Sequence, residues 1–124
     1  MSGYLSPQEL DALKQELLSS LHCALPGTVV SFDPETQTAE IQPAVKVGSL
    51  LFPVLPDVPV FFPGSRECAI TWPVSPGDEC LVVLADADID AWFETGEASV
   101  PRSARKHSLS DGFAFVGWRT RPNL

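Results

Sequence analysis

The sequence predicts an all-β fold, a small antiparallel Greek-key barrel with one amphipathic helix at its N-terminus. Three observations carry this. The chain has 124 residues, one domain's worth. Its 12 prolines and 8 glycines interrupt the middle every few residues, which suits short strands and tight loops. Apolar residues recur at helical spacing only near the start; afterwards they come in short alternating or continuous runs.

The helix is read from Ser6-Pro7-Gln8-Glu9, a capping box with proline at the first helical position. Leu10, Leu13, Leu17, Leu18 and Leu21 then form one apolar stripe, and Asp11, Gln15 and Ser19 fall off it. Pro26-Gly27 is expected to end the helix. Two destinations are open to the stripe, the domain's own sheet or sister copies of the chain.

Residues 28–32 and 38–42 read as a hairpin around a turn at 33–37, with Pro34 at its second position. Residues 48–56 read as a loop. A third strand is expected at 58–62, where Pro59 implies an edge position or a bulge. A fourth is expected at 69–72. Ser75-Pro76-Gly77-Asp78 is a type II turn signal. The run at 79–84 is apolar enough to be a central strand. Residues 88–93 read as one or two helical turns capped by Asp88, residues 98–106 as polar loop, and 112–116 as the last strand. One helix and five or six short strands favour the OB-fold among small barrels. The chain divides into a helix at 1–24, a barrel at 25–118 and a tail at 119–124.

Composition excludes several classes. At 44% hydrophobic residues the chain is too apolar for a disordered tail. No run of about 18 apolar residues is present to span a bilayer. The first residues show neither the basic nor the apolar region of a secretory signal. A net charge of −8 opposes nucleic-acid phosphates and anionic membrane surfaces. Cys23, Cys68 and Cys80 lack metal-ligand spacing and sit in apolar stretches, so they read as small buried thiols of a reducing compartment.

The most tempting chemical motif is Asp86-Ala-Asp88-Ile-Asp90 with Glu97, which fills places one, three, five and twelve of an EF-hand calcium loop. The sixth place needs glycine for the turn around the ion and holds Ala91; Trp92 and Phe93 follow. The calcium reading is therefore rejected in favour of an acidic helix start. His107, Ser108, Ser110 and Asp111 lie close in sequence, but no GxSxG elbow accompanies them. His107 and Asp111 are assigned structural polar roles, and His22 is placed near the helix end, where a cation suits the dipole. No glycine-rich phosphate cradle is present. The basic cluster Arg102, Arg105 and Lys106 is expected to meet an acidic neighbour or the 86–97 run. No catalytic, cofactor-binding or metal-binding residue is assigned.

What remains is apolar excess. Leu50-Leu51-Phe52-Pro53-Val54-Leu55 lies in an expected loop, with Phe61 and Phe62 close after it. Loops are normally polar, so this one is expected either to fold back over the barrel's end or, the favoured reading, to be buried in a partner interface. The interface candidates are Leu10, Leu13, Leu17, Leu50, Leu51, Phe52, Phe61 and Phe62.

Five segments in order resemble a known family. They are Leu25-Pro-Gly-Thr-Val-Val-Ser-Phe-Asp-Pro34 with the run to Val45, then Leu55-Pro-Asp-Val-Pro-Val60, then Trp72-Pro-Val-Ser-Pro-Gly-Asp-Glu-Cys-Leu-Val-Val83. Asp88-Ile-Asp-Ala-Trp92 and Arg105-Lys-His-Ser-Leu-Ser-Asp-Gly-Phe113 complete the set. Over about residues 24–117 the chain is similar to the N-terminal OB-fold domain of the central membrane-piercing spike of contractile, Mu-like phage tails. The resemblance implies a non-enzymatic virion part without cofactor. It implies a homotrimer in the tail baseplate whose partners are itself and the tail hub and tube proteins, made in the bacterial host cytoplasm. Neither nucleic-acid binding nor stable membrane insertion by this chain is expected. In that family a β-helical needle follows, tipped by iron on His-x-His motifs; this chain stops at Leu124 without such a motif, so needle and iron are not carried over. The alternative is a stand-alone OB module binding oligosaccharide or single-stranded nucleic acid. That requires an aromatic, cationic groove, and the strands supply only the aromatics.

Overall fold

The computed structural model describes residues 3–124. The elements are a helix α1 (Pro7–Ser20), strands β1 (Ala24–Asp33), β2 (Thr38–Pro43), β3 (Lys46–Val47), β4 (Leu50–Leu51), β5 (Leu55–Pro59) and β6 (Glu79–Leu84), a short helix α2 (Asp90–Thr95) and strand β7 (Gly112–Trp118). One turn of 3-10 helix at Arg121–Asn123 ends the chain. β1 is long enough to pair with β2 through its C-terminal half and β6 through its N-terminal half, both antiparallel. The main sheet runs β5-β2-β1-β6-β7, and its two ends meet in a parallel bridge between Val60 and Ala114. There the Phe61 N–H donates to the Ala114 carbonyl at 2.9 Å. The result is a small, partly open antiparallel Greek-key barrel of the OB type, as expected.

Alternation places the core. Ala39, Ile41 and Pro43 of β2 and Cys80, Val82 and Leu84 of β6 point inward. All but Pro43, itself fully buried, join Val29, Leu55, Val58, Val60 and Ala114 in the core cluster, flanked by Phe32, Phe62, Val74, Leu109 and Val116. Each fully buried aliphatic side chain of this size contributes roughly 1.5–3 kcal/mol. The ladders slip register at three places, in β1, in β5 and in β7 at Gly117, and the first two tune the inward phase. In β1 the register slips between Val29 and Ser31, so Val29 faces in and, three residues on, Phe32 packs against the core. In β5 it slips where Asp57 takes a left-handed φ of 51°. Gly27 is required where β1 crosses β2, because a Cβ there would lie 2.7 Å from Ile41 Cγ2.

Several expectations are corrected. The helix ends at Ser20 instead of Pro26-Gly27, because Pro26 and Gly27 are paired with β6. His22 consequently lies beyond the helix and stacks edge-on against Phe52 at 5.6 Å. The loop at 48–56 contains a hairpin: Val47 pairs with Leu50 across Gly48-Ser49, with Gly48 at φ +62°. The third strand begins at Leu55, where Leu55 pairs with Ile41. Its edge position in the sheet accommodates Pro59. Residues 69–72 form no strand; Ala69 makes one bridge to Gly64, and the segment runs between Pro63 and Pro73, which cannot donate to a ladder. Cys23 and Cys68 are exposed, in the link after α1 and in that loop; only Cys80 is buried. The cap position of α2 is Ile89, one residue later than expected, although the Asp88 carboxylate still accepts from the Asp90 N–H at 2.9 Å. The capping box of α1 is present as expected, with Ser6 and Glu9 each accepting from the other's backbone N–H at 3.2 Å.

Candidate functional site: a polar clasp and exposed apolar surfaces

Three elements bring the acidic motif onto one arginine. Asp88 precedes α2, Asp90 opens it, and Asp111 lies immediately before β7. Arg105 comes from the loop between. Its Nη2 donates to Asp111 Oδ1 at 2.8 Å, to Asp88 Oδ1 at 2.8 Å and to Asp90 Oδ2 at 3.2 Å, while its Nε donates to Asp111 Oδ2 at 3.1 Å. Asp111 is fully buried and also accepts from the Ile89 N–H at 3.2 Å. Asp88 is buried and accepts from the Ser103 hydroxyl at 2.7 Å. The Asp90 N–H, the Ser103 hydroxyl and the Arg105 charge together hold the Asp88 carboxyl below its usual range. The carboxylates in turn raise Arg105, with Asp111 contributing most.

This geometry decides what the acidic residues do. Oxygens of Asp88, Asp90 and Asp111 approach one another as metal ligands would. A guanidinium nitrogen already lies within 3.2 Å of all three, in the place a cation would take. Of the EF-hand-like set, Asp86 and Glu97 lie outside: both are exposed, and Asp86 stands 3.6 Å from His107 Nε2. Arg102 pairs with Glu94 of α2 at 2.7 Å. The cluster therefore fixes α2 and the start of β7 to each other. His107 takes a left-handed φ of 46°, and its buried Nδ1 has no hydrogen-bond partner among the described residues.

A second clasp holds the tail. The Asn123 side-chain amide, the Thr120 N–H and the Thr120 hydroxyl all donate to Glu79 Oε1, at 2.9, 2.8 and 3.0 Å. They hold the Glu79 carboxyl below its usual range, Asn123 most strongly. Sequence reasoning missed this site. Its partners are 41 and 44 positions apart, and no local pattern links them.

The interface candidates fall into three groups. Leu10, Leu13 and Leu17 stand on α1, whose described residues include none that is buried. The five stripe leucines are 43–64% exposed, so the stripe does not pack on the chain's own sheet. Leu50 and Leu51 are exposed on the β3–β4 hairpin, and Phe52 beside them touches His22 at the foot of α1. The Phe52 carbonyl accepts from the Gln42 amide at 2.8 Å, which ties the hairpin to β2. Phe61 and Phe62 lie at the other end of the β2–β5 ladder. Phe61 is exposed and stacks on Phe115 at 5.1 Å, whereas Phe62 is drawn inward between Phe32 and Trp72. The hairpin was detectable in sequence: a two-residue Gly-Ser turn, here between Val47 and Leu50, is a known hairpin signal.

The barrel frame from β1 to β7 is also where the chain matches known proteins. The sequence model of the family described as phage protein Gp138 N-terminal domain matches residues 25–117. The chain belongs to that family. The match covers the barrel from Leu25 in β1 to Gly117 in β7 and leaves α1 and the last seven residues outside it. No curated protein sequence matches the chain. The chain is thus a phage protein domain, and the family points to a phage structural protein.

Proposed function

We propose that the chain is the spike or hub attachment domain of a phage tail baseplate, a non-enzymatic part of a cell-envelope-puncturing device. It works as a homotrimer in the virion and docks on tail hub and tube proteins. The observation that carries this reading is the run of exposed apolar surface from α1 through Leu21 and the His22–Phe52 contact to Leu50 and Leu51. On a chain of a phage-protein family, such a surface fits burial against other copies or tail proteins. The internal clasps at Arg105 and Glu79 suit a part that transmits load, because they fix α2, β7 and the tail to the barrel.

Light scattering on the full chain across a concentration series tests the reading. The monomer mass is 13.4 kDa. A solution mass three times the monomer's supports the reading. The monomer mass at every concentration overturns the homotrimer. Saturable binding of oligosaccharides or single strands would then favour the stand-alone OB module.

A further inference from the structure

The helix α1 poses a physical problem that the barrel does not. It has 14 residues, and none of its described residues is buried. Isolated helices of this length are marginal in water, and most helical stability comes from packing an apolar face. Only three residues, Leu21, His22 and Cys23, join it to β1, so it cannot fold back across the sheet while the His22–Phe52 contact holds its foot. It also lies outside the residues that match the family.

We propose that α1 is a parallel, three-stranded coiled coil formed with two further copies of this chain. This rests on the homotrimer reading above and names the surface that makes it. With Leu10 at heptad position a, Leu13 falls at d and Leu17 at the next a, a seam of three leucine layers, while Ser20 takes the following d and Leu18 and Leu21 fall at b and e. Glu9 and Lys14 then fall at g and e, the positions that flank the seam. In a parallel coil the g residue of one strand meets the e residue five positions later on its neighbour, so each Glu9 faces a Lys14 of the next copy. Within one helix, residues five apart do not face each other. No ion pair engages Lys14 among the described residues, and Glu9 reaches only the Ser6 N–H of its own chain. An antiparallel arrangement would lose this pairing and would break the cyclic symmetry of a trimer. The three-residue link places all three barrels at one end of the coil, with Leu21 and the Leu50–Leu51 hairpin facing the junction.

The test uses the full chain and three variants, with light scattering and sedimentation equilibrium as readouts and far-ultraviolet circular dichroism to confirm the barrel. Leu13→Asp with Leu17→Asp is expected to drop the solution mass from that of a trimer to that of a monomer while the barrel stays folded. A variant that remains trimeric overturns the coil yet leaves the homotrimer standing on another surface. Lys14→Glu is expected to weaken the trimer about tenfold. Adding Glu9→Lys to it is expected to restore most of that affinity at low salt, although the capping box is lost. If the double variant associates no more tightly than Lys14→Glu alone, the parallel register is wrong. A monomer mass for the unaltered chain at every concentration overturns coil and homotrimer together.

Discussion

In β6, alternate residues Cys80, Val82 and Leu84 are at most 5% exposed, whereas Leu10, Leu13 and Leu17 of α1 are 43–60% exposed. Both segments present an apolar side, and β6 carries Leu81 and Val83 on its other side as well. The strand finds its covering neighbours in the same chain, because ladders to β1 and β7 hold it across the barrel. The helix stripe has no such neighbour among the described residues, so its three to five leucines, each worth roughly 1.5–3 kcal/mol when fully buried, stay exposed on this chain. Apolar pattern alone therefore does not say whether a face is core or interface; the connectivity around it does.

The sharpest way to break this comparison is to truncate one residue on each side of it. Ile41→Ala, at a fully buried position, is expected to lower the barrel's unfolding free energy by about 2–5 kcal/mol in urea titrations. Leu13→Ala is expected to change it by less than about 0.5 kcal/mol under conditions where the chain is monomeric. Equal losses would show that α1 packs on the barrel after all.

Next in size is the Arg105 clasp. Arg105→Ala strips the fully buried Asp111 of its cation, and its urea midpoint is expected to fall further than that of any single leucine change in α1. Gly27→Ala follows, at about 1–3 kcal/mol, because the new methyl meets Ile41 Cγ2 and the Gln42 carbonyl.

A smaller effect is pH-dependent. The Asp88 carboxyl sits below its unfolded value, so its contribution is complete above the ordinary aspartate range, about pH 4, and disappears as pH falls through the lowered native value. Ser103→Ala removes one donor to Asp88. The stability gap between the native chain and this variant is expected to be constant from about pH 7 to 5 and to close on further acidification. A gap that widened in acid would rule out a charge-stabilising role for Ser103.

The last contrast costs no stability. Burial pushes the Cys80 thiol up to about 11, while Cys23 and Cys68 are exposed. A thiol reagent at neutral pH is expected to modify two cysteines rapidly and the third only on unfolding. Three fast thiols would mean that the barrel opens at β6.

Much of the frame was legible in the residues. The Ser6–Glu9 capping box, the turn at Pro76-Gly77 with Gly77 at φ +96°, and the strand at 79–84 all formed where the pattern placed them. Each depends on groups within a few positions of one another. The strand expected at 69–72 failed because its alternation had no ladder partner, and flanking prolines removed donors. Cys23 and Cys68 misled because an apolar neighbourhood in sequence is not a burial site in space.

For α1, α2, β1, β2, β6 and β7 the sequence by itself determined the element type and, in the strands, the inward alternation, since backbone geometry repeats with the turn of a helix or the pleat of a strand and side chains follow it. Only the tertiary structure decided that Val60 meets Ala114 to close the barrel, that Arg105 gathers Asp88, Asp90 and Asp111, and that Glu79 holds the tail. Those contacts join residues far apart in the chain, and their register is set by the bulges in β1 and β5 and by the packing of the whole core. No local period carries that information, because it resides in which strands pair and where the pairing slips.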